Sequence, residues 1–167
     1  VRIVPVVLSK EEVKRILDAI TNLKHRAIIT TIYSAGLRLS EVCQLKVQDI
    51  DSTRMMMRIN QSKFNRDRYV MLGQQTLALL REYWREYRPK DWLFSGKPSD
   101  NHISPRSVQR IFELALKKTG IGKRASVHTL RHSCATHLME SGVALPVIQI
   151  RYRARYGATM PEMQRQA

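Results

Sequence analysis

The stretch HTLRHSCATHLMESG, residues 128–142, reads as one helix closing at Gly142. On a helix, His128, Arg131 and His132 stand at i, i+3 and i+4 and share one face. Two histidines four apart can chelate zinc, but the metalloprotease pattern has a glutamate directly after the first of them. Here Thr129 takes that place, and Arg131 adds a permanent positive charge that repels a cation. Fixed and switchable positive charges on one face suit an anion instead. Histidines filling polar corners beside a core helix would leave the same letters, so the rest of the chain decides.

The chain has 167 residues and is 43% hydrophobic, enough for one domain with a real core. Lys and Arg number 29 against 14 Asp and Glu, a formal charge of +15 and an isoelectric point near 10.4. That excess makes a polyanion the expected partner, nucleic acid above all. A membrane surface fits less well: there is no long apolar run, and VRIVPVVL is short and broken by Pro5. Cys43 and Cys134 fall inside apolar helical patterns and read as free buried thiols of a reducing compartment. The expected location is cytoplasmic.

Outward from the opening stretch, the pattern is mostly helical. LSKEEVKRILDAI places Ser9 and Glu12 in capping-box spacing before an apolar stripe of Val13, Ile16, Leu17 and Ile20. KHRAIITTIYSAG predicts a second helix ending at Gly36, and LSEVCQL a further helical segment. RMMMRIN and RDRYVML read as two strands joined by QSKFN, a basic hairpin. QQTLALLREYWREYR returns to helix with a stripe of Leu77, Leu80, Trp84 and Tyr87. SPRSVQRIFELALKKTG has Ser104 as N-cap, Pro105 in the first turn and Gly120 at its end. Pro146 opens one more helix. The expected fold is mainly α with a small antiparallel β-hairpin or sheet, an α+β domain.

Two other stretches complement the first. AGLRLSEV sets Arg38 in the tight turn after Gly36, with Glu41 one helical turn on. Arg38 could be an ordinary solvated arginine, and Glu41 could hold the fork of Arg38 in place or be a surface acid. The hairpin carries Lys63 at its tip with Arg54, Arg58, Arg66 and Arg68 around it and Asp67 as its one acid. It is either a solvated basic ribbon or a ribbon shaped to enter a DNA groove.

Taken together, AGLRLSEVCQL, the hairpin lysine and HTLRHSCATHLMESG, in this order, resemble the catalytic domain of the tyrosine recombinases, the phage integrase family. The resemblance covers about Leu8 to Ile150. It implies the tyrosine-recombinase catalytic-domain fold over residues 1–150 and double-stranded DNA as partner. It further implies strand cleavage and rejoining through a 3′-phosphotyrosyl link, without metal or cofactor. Arg38 and Arg131 match the arginines that hold the scissile phosphate, and Lys63 matches the lysine that protonates the leaving 5′-oxygen. His128 matches the histidine that assists proton movement, while Glu41 and His132 match supporting positions.

Residues 151–167 depart from the family pattern and form an atypical basic tail. The family reads Leu-Gly-His there, followed by the nucleophilic tyrosine; counting from Arg131, those places hold Ala154 and Met163. Methionine offers no ionisable oxygen to attack phosphorus. Tyr152 and Tyr156 lie nearby, but a nucleophile needs placement to a few tenths of an ångström. The chain is therefore expected to be nucleophile-defective. A reading-frame change, an internal truncation or real divergence would each produce such a break after Ile150.

The chain begins almost at the first catalytic-domain helix, so the family's preceding core-binding domain is expected to lie outside it. Family members assemble as tetramers on DNA through their C-terminal segment, and with that segment off pattern the chain is expected to be a monomer. The rival reading is a basic helical DNA-binding regulator, in which Arg38 and Arg131 need not approach each other. An RNA-binding protein would display aromatic residues for stacking, whereas Phe112 and Trp84 sit at core-like positions.

Overall fold

The computed structural model describes residues 6–60 and 67–141. Its elements run α1 (Lys10–Asp18), α2 (Leu23–Ala35), α3 (Leu39–Cys43), β1 (Ile50–Asp51), β2 (Met56–Ile59), β3 (Arg68–Met71), α4 (Gln74–Tyr87), α5 (Pro105–Thr119) and α6 (Val127–Glu140). A 3-10 turn, Val47–Asp49, leads into β1. The expected class, helices with one small antiparallel sheet, is the observed one.

The centre is α2, which packs against α1, α3, α4, α5 and α6. Ala27, Ile28, Ile29 and Ile32 are fully buried, so the helix is apolar nearly all round, as a central helix must be. Thr31 is buried among them and spends its hydroxyl on the Ala27 carbonyl at 2.7 Å, which removes the penalty of an unpaired polar group. The opening stretch forms α6, starting one residue early at Val127 behind the Ser126 cap. Its third histidine, His137, belongs to the core: it is buried against α2, with Nδ1 2.5 Å from the Tyr33 hydroxyl. Ser133 fixes the other side of α6, accepting from the Leu8 N–H at 2.9 Å.

Local signals set most boundaries. At α1, Ser9 accepts from the Glu12 N–H at 3.1 Å and Glu12 accepts from the Ser9 N–H at 2.9 Å, the reciprocal cap anticipated from spacing. At α5, Ser104 caps, Pro105 opens and Gly120 closes, as read from the sequence. Cys43 and Cys134 are free and buried, and burial pushes both thiols up to about 11.

One expectation is extended and one needs correction. The sheet has three strands, in the order β1-β2-β3, all antiparallel, because Ile50 and Asp51 pair with Met57 and Met56. Two residues are too few to show alternation. The stripe of α4 also turns differently: Leu77 and Leu80 are buried as expected, but Tyr83 continues the inward face. Trp84 and Tyr87 point outward, 40% and 39% exposed. Tyr83 wins the inner position because its hydroxyl reaches the Leu93 carbonyl at 2.6 Å while its ring packs on Phe94. Trp84 is instead covered on one side by the Arg88 guanidinium, 4.3 Å from the ring centre. Phe112 is in the core, as expected. The helix opened by Pro146 lies outside the described residues.

Candidate functional site

The site starts from the end of α2. Gly36 closes that helix in the left-handed conformation, φ 65°, a shape that suits a residue without a side chain. The turn aims the Gly36 carbonyl at α6, where Arg131 Nε donates to it at 3.0 Å. This bond holds the half-buried guanidinium beside the α2–α3 turn, and among the described residues its two terminal nitrogens have no hydrogen-bond acceptor. A Cβ on Gly36 would sit 3.4 Å from Cys134 Sγ, so the turn is also closely packed. Gly36→Ala is expected to destabilise the chain by about 1–2 kcal/mol, from left-handed strain alone. An unchanged denaturant midpoint would contradict this account of the turn.

Two residues after Gly36, Arg38 occupies the N-cap position of α3. Its backbone N–H donates to Glu41 Oε1 at 2.7 Å, and its side chain is exposed. Burial, then the charge of Arg38, lowers the Arg131 pKa from its usual value; Glu41 opposes the shift and Arg68 adds to it. The Arg68 guanidinium and the Arg38 backbone N–H thus meet on one carboxylate, that of Glu41, which is near enough to Arg131 to oppose its shift. With Glu41 as the one acid among these groups, the local charge balance is positive, which suits an anion.

Glu41 is the hub of the arrangement. Besides capping α3, it takes both terminal nitrogens of Arg68, Nη2 to Oε1 at 3.0 Å and Nη1 to Oε2. Both side chains are buried, 9% exposed for Arg68 and 7% for Glu41. Glu41 is therefore no surface acid, but the fork it holds is that of Arg68 and not, as expected, that of Arg38, which gives it only a backbone N–H. The hairpin is likewise no uniformly solvated ribbon: Arg58 pairs with the buried Asp49 at 3.2 Å and with Asp67 at 3.6 Å. Arg54 stays exposed near Asp51, at 3.9 Å.

His128 and His132 are both exposed on α6, on the face that also carries Arg131. His128 is the second residue of the helix, so it stands at the helix N-terminal end, where backbone donors favour negative charge. Lys63 and Arg66 lie outside the described residues, as do Tyr152, Ala154, Tyr156 and Met163. Among the described residues no group of three His, Cys, Asp or Glu is placed to hold a metal ion.

Sequence reasoning missed Arg68 as a member of this cluster, although a signal existed. Arg68, Val70 and Leu72 share one face by strand alternation, and all three are buried. A charge on the inward face of a strand needs a buried partner.

The profile of the phage integrase family matches residues 6–152. The relative y4qK of Sinorhizobium fredii, named as an integrase/recombinase, is 45% identical over 146 residues, spanning 87% of this chain and 47% of the relative. The tyrosine recombinase XerA of Pyrococcus furiosus is 33% identical over 150 residues, spanning 87% of this chain and 52% of the relative. Among solved structures, that of XerA recombinase matches with a TM-score of 0.79 at 28% identity, over 87% of this chain and 53% of that one. The chain thus spans about half the length of the curated relatives it matches. Fold, sequence and the order of its motifs agree: the chain belongs to the phage integrase family of tyrosine recombinases, with the fold of their catalytic domain.

Proposed function

We propose that this chain is the DNA-binding catalytic domain of a site-specific tyrosine recombinase or integrase. The reading is supported by the tether of Arg131 to the Gly36 carbonyl, two residues before Arg38 in the chain. A helical regulator would have no use for that tether, because its arginines would serve separate phosphates. Double-stranded DNA is the partner, and the excess of 29 basic over 14 acidic residues supports it. Residues 1–150 form the catalytic unit and residues 151–167 a basic tail; alone the chain is a cytoplasmic monomer. Among the described residues no helix is long and apolar enough to cross a membrane.

In the proposed reaction a tyrosine oxygen attacks the scissile phosphorus, the bond to the 5′-oxygen breaks, and that oxygen takes a proton. Charge grows on the non-bridging oxygens, where the free nitrogens of Arg38 and Arg131 stabilise it. Lys63 gives the proton to the departing oxygen, and His128 assists proton movement. Glu41 and His132 support these groups. Attack and rejoining conserve the phosphodiester energy in the covalent link, so the route uses neither cofactor nor metal. The missing piece is the nucleophile: Met163 stands in its place, with Tyr152 and Tyr156 as the nearby tyrosines. The chain therefore binds DNA and does not cleave it.

The test is a titration of the chain into labelled duplex, followed by a denaturing gel for covalent protein–DNA adducts. Affinity is expected to fall by orders of magnitude between about 50 and 200 mM salt, with no adduct. Binding that ignores salt would sink the DNA reading. An adduct abolished by Tyr152→Phe or Tyr156→Phe would sink the defect and identify the nucleophile.

A further inference from the structure

A groove of about 1010 Å³ lies between the α1–α2 turn, the loop before α5 and α5 itself. It is at the other end of α2 from the arginine cluster: Lys24 and Gly36 are about 18 Å apart at 1.5 Å rise per residue. Its lining is basic, with Lys24, Lys97, Arg110, Lys117 and Lys118, and among the described residues no Asp or Glu lines it. Its apolar lining is Ile20, Ile103, Ile111 and Leu114. Ile20 and Ile103 are buried, while Ile111 is half-buried and Leu114 is 52% exposed, so the last two present apolar surface to water.

Among the described residues none of the groove's cations forms an ion pair. The Lys24 ammonium donates to the Ser95 carbonyl at 2.6 Å, a neutral acceptor. Burial, then Lys97, draws its pKa below the usual lysine value; burial, then Lys24, does the same to His25. An anionic occupant would relieve this crowding.

We infer that the groove is the docking site for an acidic, amphipathic segment of a partner protein, which lays an apolar stripe on Ile111 and Leu114 and sets carboxylates against the surrounding lysines and arginine. The chain's own residues 142–167 do not fit, since they carry Arg151, Arg153, Arg155 and Arg165 against Glu162. A second copy at +15 meets the same repulsion. A nucleic-acid strand fits less well: among the described residues no Phe, Tyr or Trp lines the groove for stacking, and a phosphate backbone would leave Ile111 and Leu114 wet.

The test is selection of displayed random peptides on the whole chain, with each winner then titrated against Leu114→Asp and Arg110→Glu. Both positions are exposed on α5, and a thermal scan checks that each variant is folded. Enriched peptides are expected to combine Asp or Glu with Leu, Ile or Phe at helical spacing and to lose affinity about tenfold or more in either variant. Winners that bind both variants as well as the parent would overturn the inference, as would a selection with no enrichment. Two other results would reassign the groove. Single-stranded oligonucleotide binding that is lost in Leu114→Asp would make it a nucleic-acid site. Self-association in sedimentation that Leu114→Asp abolishes would make it a contact between copies.

Discussion

Glu41→Ala is expected to lower the thermal midpoint by roughly 6–20 °C, the largest effect of any single truncation near the site. The substitution leaves the Arg68 guanidinium buried with no carboxylate, and an unpaired buried charge destabilises by about 3–5 kcal/mol. A domain of this size shifts by about 2–4 °C for each kcal/mol. The Arg38 N–H loses its acceptor as well, a helix cap worth about 0.5–2 kcal/mol. These two contributions can be separated. Adding Arg68→Met to Glu41→Ala removes the stranded charge and keeps an apolar stem beside Ile59, its partner in the register of β2 and β3. The double variant should therefore recover most of the midpoint but not the cap. A fall of only a degree or two in Glu41→Ala would show that water reaches Arg68 readily and that Glu41 is not the hub. A double variant no better than the single would assign the whole loss to the cap.

How much of this was legible in the sequence follows from the range of each interaction. Caps and terminating residues act over three or four positions, so Ser9, Glu12, Ser104, Pro105 and Gly120 set their helices as they were read. The inward face of α4 could not be settled locally. Tyr83 and Trp84 are adjacent and both aromatic, and the Leu93 carbonyl, supplied by a later loop, decides between them. The strand β1 is two residues long and exists only through its pairing with β2. Of the candidate site, the sequence offered Arg38 and Arg131 only through the resemblance. No periodicity could have brought Arg131 to the Gly36 turn, since that bond spans 95 positions and arises from the packing of α2 against α6. The Arg68–Glu41 pair was half visible, in the alternation that turned Arg68 inward, but its partner lies 27 positions away on a helix.

Arg131→Ala is expected to reduce the affinity of the chain for inorganic phosphate or sulfate by about 10–100-fold, whereas Arg88→Ala should change it by less than about twofold. Each variant removes one positive charge, so the long-range field of the protein falls equally. They differ in what the arginine is held by. Arg88 lies over the Trp84 ring at the exposed end of α4. Arg131 is tethered through Nε to the Gly36 carbonyl, which fixes the direction of its remaining nitrogens before any anion arrives. Hydrogen bonds to charged groups contribute about 1.5–3 kcal/mol, and each 1.4 kcal/mol is tenfold in affinity, which sets the expected range. Arg131→Lys sharpens the comparison, because it keeps the charge and loses the planar fork. It should bind the anion closer to Arg131→Ala than to the parent. Equal losses in Arg131→Ala and Arg88→Ala, measured by titration calorimetry at one ionic strength, would mean that anions are held by diffuse charge. The Gly36 turn would then position nothing, and the proposed phosphate site would fall with it.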